Sequence, residues 1–242
     1  MKLSVPGVIA LALIAFVAAP RPAQAQLVVD RLIVDFERGA PVRQDILLRN
    51  ESKDKYYVTV TPAEVISPGE DKSTQVTKTN PEDLGLLVTP NRTVLDPGAS
   101  RSIRVVSLNG PLTRDRIYRV LIAPQVGELK TDAAPAGDKG VAIKILTAYE
   151  ALVIVRPQSE NGKLVVERTA DGISVKNVGN SNTLVYDGTA CPVGGGSAKC
   201  VKLPARRMYA GNVWRLALPH PNDLVTFELR GTASQDPQTV HY

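Results

Sequence analysis

VAIKILTAYEALVIVRP, residues 141–157, is the stretch that fixes the class of the fold. It opens with strict alternation, Val141, Ile143 and Ile145 on one face against Ala142 and Lys144 on the other. It closes with a continuous apolar run, Leu152 to Val155, ahead of Arg156 and Pro157. A period of two marks a strand covered on one face, and an unbroken apolar run marks a strand covered on both. The stretch therefore predicts one long strand, exposed at its start and buried at its end. The fourteen residues before it, Gly127 to Gly140, are polar and rich in Asp, Lys, Ala and Pro, the composition of a loop.

Toward the N-terminus the same β character continues. Leu27 to Phe36, Gln44 to Arg49, Tyr56 to Pro62, Leu86 to Thr89, Ser102 to Leu108 and Tyr118 to Ile122 are short runs rich in β-branched and aromatic residues. They are punctuated by Glu37-Arg-Gly-Ala-Pro41 and the turn Asp96-Pro-Gly98. With Val141 to Val155 they make about seven strands, the number of one immunoglobulin-like sandwich. Pro157 to Gly162 is polar and turn-rich, and a second series follows: Lys163 to Glu167, Gly172 to Asn177, Asn182 to Asp187, Lys199 to Leu203, Val213 to Leu218 and Leu224 to Arg230. The reading is all-β, with two immunoglobulin-like sandwiches at an angle, residues 26–157 and the smaller 158–242. A ligand cleft is expected between them. Ser234 to Tyr242 reads as a frayed end.

Residues 1–25 have a different grammar. Lys2 gives a basic start, Val8 to Ala19 is apolar throughout, and Ala23-Gln-Ala25 is a small-x-small cleavage pattern. The apolar run is too short to span about 30 Å of hydrocarbon, so a secretory signal peptide cut between Ala25 and Gln26 is expected, with no stable membrane insertion. Removing Lys2 and Arg21 lowers the formal charge from +5 to +3. Lys and Arg are dispersed and aromatics are only 5%, which argues against a nucleic-acid-binding surface. In an exported chain the two cysteines, Cys191 and Cys200, read as a local disulfide, contributing roughly 2–3 kcal/mol by closing a short loop. Their spacing fits no zinc pattern.

Catalytic patterns are missing. No G-x-S-x-G is present, and His220 and His241 lie in a Pro-flanked loop and at the tail. Gly194-Gly-Gly196 lacks the Gly-Lys-Ser/Thr of a phosphate loop, and two methionines and two histidines are a poor set for copper. The expectation is no enzyme, no metal and no cofactor.

Four segments in order, Gly85-Leu-Leu-Val-Thr-Pro90, Val94-Leu-Asp-Pro-Gly-Ala-Ser-Arg-Ser-Ile-Arg104, Tyr118-Arg-Val120 and Leu152-Val-Ile-Val-Arg-Pro157, resemble the periplasmic pilus-assembly chaperones of the chaperone-usher pathway. The likeness is to the alternate branch serving colonisation-factor and common-pilus fimbriae, in which a cysteine pair also tends to occur in the second domain. The resemblance implies a boomerang of two immunoglobulin-like domains, without a catalytic site, that holds fimbrial subunits in the periplasm and passes them to an outer-membrane usher. Each subunit lacks its last strand, and the chaperone lends the exposed part of its own last first-domain strand, a strand addition. The donor residues would be Val141, Ile143 and Ile145, with Thr147 and Tyr149 continuing the face. Burying three such side chains is worth up to roughly 4.5–9 kcal/mol before ordering costs.

The resemblance also implies that basic side chains in the cleft hold the subunit's terminal carboxylate. The usual pair, an Arg on the first strand and a Lys on the donor strand, is replaced here by Ile33 and Leu152. Arg119, inside an otherwise apolar strand, is the first substitute, with Arg104 and Arg156 next; an interdomain salt bridge is the other use for Arg156. An exposed apolar edge is an aggregation hazard, so self-capping by dimerisation or by the loop is expected. The competing class is an exported structural or adhesive protein of two immunoglobulin-like domains that binds a glycan or a cell-surface protein through tip loops such as Cys191 to Cys200.

Overall fold

The apolar run at Leu27 is interrupted by Asp30 and Arg31, and it makes two strands in two different sheets rather than one. A computed structural model of the chain describes residues 26–127, 144–194, 199–231 and 236–242; Ala25, and Val141 and Ile143 of the expected donor strand, lie outside them. The first half holds β1 (Leu27–Val29), β2 (Ile33–Phe36), β3 (Arg43–Asn50), β4 (Tyr56–Ile66), β5 (Thr74–Val76), the helical turn α1 (Pro81–Leu84), β6 (Leu86–Thr89), β7 (Arg92–Leu95), β8 (Ser100–Ser107), β9 (Arg116–Val126) and β10 (Tyr149–Val155). One sheet is ordered β1-β3-β8-β6; the other is β2-β10-β9-β4-β5, with β7 also on β4. Asp30 sits at the crossing, its backbone N–H donating to the Leu47 carbonyl and its carboxylate accepting from the Leu47 N–H. Alternate residues of both sheets, among them Val34, Ile46, Leu48, Tyr56, Val58, Ile103, Val120 and Val153, close one core.

The second half is a smaller sandwich. Its strands are β11 (Leu164–Arg168), β12 (Gly172–Asn177), β13 (Thr183–Cys191), β14 (Val201–Leu203), β15 (Arg206–Met208), β16 (Val213–Ala217), β17 (Leu224–Arg230) and β18 (Gln238–His241). They form the sheets β11-β12-β16 and β14-β13-β17-β18, with β15 also on β13. Ile173, Val175, Val185, Met208, Trp214, Val225 and Phe227 make a separate core, with the Trp214 and Phe227 rings tilted at 6.0 Å. The disulfide Cys191–Cys200 is formed at the end of β13, as expected. The tail corrects the reading of a frayed end. β18 pairs with β17, Val240 and Tyr242 pack against the second core, and the Arg168 guanidinium donates to the Tyr242 carbonyl. Gln238–His241 has no apolar alternation to announce it; the backbone ladder along β17 holds it.

Several contacts join the sandwiches among the described residues. Tyr209 of the second packs on Ile117, Leu152 and Ile154 of the first. Asp115 accepts from the Asn182 backbone N–H at 2.6 Å and from its side-chain amide. The tip of the β4–β5 hairpin lies against the turn after β15, where the Asn212 amide donates to the Pro68 carbonyl at 3.0 Å and Arg206 donates to the Gly69 carbonyl at 2.8 Å. Gly69 has φ +76°, and a Cβ there would collide with the Asn212 side chain. Gly69→Ala is therefore expected to cost about 1–3 kcal/mol through backbone strain and loss of this contact, read as a lower thermal midpoint. An unchanged midpoint would mean that the hairpin tip does not hold the seam.

Candidate functional site

β10 is central along Leu152–Val155 and open on one edge along Tyr149–Ala151. Its residues Tyr149–Val155 pair antiparallel with β9, and Leu152–Val155 also pair in parallel with Ile33–Phe36 of β2. The Leu152 N–H donates to the Leu32 carbonyl, so Leu152 directs its backbone groups toward β2 and away from β9. By alternation Glu150 directs its own the same way, past the end of β2, where no strand follows among the described residues. That is a free sheet edge leading directly out of a buried strand. Ala151, Val153 and Val155 face the first core, while Leu152 and Ile154 face Tyr209 across the seam.

The single long strand expected from the sequence ends its ladder at Tyr149. Continuing the register Tyr149↔Ile122 would set Thr147 opposite Pro124. By the same alternation that position should exchange hydrogen bonds with β9, and proline has no N–H to give. Lys144 to Ala148 run unpaired beyond it. Ile145 is 82% exposed and Thr147 is exposed. Tyr149 is turned into the first sandwich, its hydroxyl donating to the Leu27 carbonyl at 2.8 Å.

The three arginines named from the sequence occupy different settings. Arg119 lies on β9 in a row with Leu152 of β10 and Ile33 of β2, partly exposed and 3.8 Å from the Glu150 carboxylate. Arg104 is on the opposite sheet, where it grips Asp45 with two hydrogen bonds of 2.9 and 3.0 Å and holds that carboxyl below its ordinary value. Arg156 is wholly buried. It forms two bonds of 2.7 and 2.8 Å to Asp35 and a third of 2.7 Å to the Gly231 carbonyl, so its guanidinium is an interdomain bridge.

Two other arginines face the junction. A cleft of about 430 Å³ between the sandwiches is lined by Arg31, Ile33, Asp35 and Glu37 from the first, and by Leu184, Arg207 and Arg230 from the second. Leu184 of β13 is paired with Arg207 on one side and with Arg230 on the other, so the two guanidiniums flank one leucine. Arg207 donates to the Asn182 side-chain oxygen, and burial pulls its pKa below the ordinary arginine value. Arg230 lies over the Tyr186 ring at 5.7 Å, and its buried Nε has no hydrogen-bond partner. Neither has an ion-pair partner among the described residues. Only strand pairing brings them together, since they lie on strands far apart in the chain. No group of three or more His, Cys, Asp or Glu among the described residues is placed to hold a metal ion. No helix among those residues is long and apolar enough to cross a membrane.

Burial holds the Asp115 carboxyl above the ordinary carboxylate range, although the Asn182 hydrogen bonds pull it down. An acid raised in this way binds its proton more tightly folded than unfolded. Its contribution to stability is fullest at low pH and fades as pH rises from the unfolded-state value through the folded-state value. Asp115→Asn removes that dependence. Between about pH 4 and 7, thermal unfolding should show the wild type losing ground to the variant as pH rises. Parallel pH profiles would refute it.

No family model matches the chain. It is 27% identical over 191 residues to a CFA/I fimbrial protein of Escherichia coli, described as one of that fimbria's subunits, covering 78% of this chain and 79% of that protein. In fold it is similar to the crystal structure of the class 5 fimbriae chaperone CfaA, with TM-score 0.65 and 23% identity over 89% of this chain and 97% of the other. A structure of a chaperone–tip adhesin complex in CFA/I fimbriae biogenesis gives TM-score 0.60 and 25% identity over 90% and 98%. The likeness thus spans both sandwiches and lies on the colonisation-factor side of the fimbrial chaperones.

Proposed function

We propose that this chain, similar in sequence and fold to the fimbrial chaperones of chaperone-usher systems, is a periplasmic chaperone that binds, folds and caps fimbrial subunits by lending them a strand, then yields them to an outer-membrane usher. The observation that carries the proposal is the free edge of β10, continued by the exposed Ile145, beside a strand whose other half is buried. A subunit lacking a strand would pair its backbone with the outward groups of Glu150 and the residues before it, and Ile145 would enter its groove. Val141 and Ile143 extend the same pattern in the sequence. Residues 1–25 serve as the export signal, cleaved between Ala25 and Gln26, and the chain divides into functional units at about Pro157.

The subunit's terminal carboxylate belongs in the cleft, against Arg207 and Arg230. Arg104 and Arg156 are each committed to a carboxylate of this chain, and Arg119 shares Glu150. Arg207 and Arg230 have guanidinium donors to offer, and a planar fork suits a carboxylate. Arg119, in the row of Ile33 at the cleft's rim, is the third cation within reach. In this reading no bond is made or broken; the chaperone contributes a strand, a groove-filling side chain and a charge anchor.

Co-export with a fimbrial subunit of the host strain tests the strand. Ile145→Asp should sharply lower recovery of soluble subunit, and equal recovery would refute strand donation. The anchor is tested with a synthetic peptide of the subunit's C-terminal strand, bearing a free or an amidated terminus. Arg207→Ala with Arg230→Ala should weaken binding of the free acid by about 1.5–3 kcal/mol, tenfold or more, and abolish the preference over the amide. Arg104→Ala should leave both unchanged. A preference that survives the double substitution would place the anchor elsewhere.

A further inference from the structure

The strand that would be lent is held out of phase with the one it continues. In β10 the residues facing the first core are Tyr149, Ala151, Val153 and Val155. Strict alternation carried backward would turn Thr147 and Ile145 inward and Leu146 and Lys144 outward. The structure has the reverse. Leu146 packs against the first core, while Ile145 is 82% exposed. Lys144 is only 19% exposed at its side chain, lies over the Tyr56 ring at 6.0 Å and is bonded to the Asp54 carboxylate in the β3–β4 turn. From Leu146 to Tyr149 two inward residues are three apart, so one residue is out of step, at the position where Pro124 cannot hold Thr147 in the ladder.

A strand added to the edge of a sheet shares the sheet's two faces. A subunit pairing along the free edge of β10 would therefore have its core on the same side as the first core, and Ile145 reaches that side only if the phase is reset. We infer that Lys144 and Asp54 form a clasp that stores Lys144–Leu146 one residue out of phase, and that subunit capture opens it. The inference rests on the strand-lending reading and adds a positioning role for two charged residues that do not touch the subunit's groove. Two features make the stored form reversible. The clasp is one ion pair with an exposed Asp54, and the slip needs no ladder bond broken, because Pro124 supplies none. Asp54 itself is positioned by the turn, where the Asn50 side-chain amide and the Ser52 hydroxyl both donate to its backbone carbonyl.

Single cysteines read the phase directly, since Cys191 and Cys200 are paired and no free thiol is present. In the free protein, maleimide should label Ile145→Cys quickly and Leu146→Cys slowly. In the complex with a co-exported fimbrial subunit the order should invert, Ile145→Cys becoming protected and Leu146→Cys open. Asp54→Asn, and independently Lys144→Gln, should speed labelling of Leu146→Cys in the free protein and raise the rate of subunit capture about two- to fivefold, the range that an exposed ion pair is worth. If subunit binding depends on Ile145 but Leu146→Cys stays protected in the complex, the phase reset is overturned and strand lending stands. If both clasp variants leave labelling and capture unchanged, the clasp is overturned. If binding is indifferent to Ile145→Asp, strand lending fails and the clasp fails with it.

Discussion

The guanidinium of Arg156 is a buried charge that bridges the two sandwiches. A buried charge is costly unless it is paired, and losing one partner of such a pair costs about 3–5 kcal/mol. Here Asp35 on β2 takes two of the bonds and the Gly231 carbonyl just past the end of β17 takes a third, while the buried Nη1 makes no hydrogen bond and lies 3.6 Å from the Glu160 carboxylate. Burial raises the Glu160 carboxyl while Arg156 draws it down. One side chain thus ties the end of β10 to β2 and to the second sandwich. The bridge stands beside the β2–β10 ladder and at the side of the cleft that Asp35 and Gly231 help to line.

A second constraint comes from the sheet edge. Natural sheets cover, charge or bend their edges because unpaired N–H and C=O groups recruit other strands. Here one edge of β10 is covered by β2 only from Leu152 onward, and the chain before Tyr149 is guarded by neither bulk nor a ladder. What restrains it is a lysine on an aspartate and a leucine against the core, with Glu150 adding charge near the exposed edge. These are weak restraints, in keeping with the proposal that the segment changes partners.

The sequence made the fold class legible because alternation and turn residues are local signals: Leu86–Thr89, Gly172–Asn177 and Leu224–Arg230 form over the limits that their patterns suggest. It concealed what depends on pairing. Leu27 to Phe36 reads as one strand because both halves are apolar, and only the partners, β3 for one and β10 for the other, separate them. β18 was invisible for the same reason. At the candidate site, Arg119 was conspicuous as a charge within an apolar run, whereas Arg207 and Arg230 each look like ordinary surface arginines until β13 sets them either side of Leu184. The phase of Ile145 was hidden because Pro124, which breaks the ladder, lies more than twenty residues away in sequence.

The switch of the first strand between sheets has a metric consequence. β2 takes up the edge of β10 from Leu152 to Val155, so a visiting strand can advance along that edge only until it meets Ile33. Among the described residues the open span runs from Lys144 to Ala151, which at about 3.3 Å per residue is roughly 26 Å. The chain's own N-terminal segment is therefore a mechanical stop. On the strand-lending proposal it would set the reading frame of the docked strand, and lengthening or shortening β2 by two residues would move that frame by one full side-chain repeat.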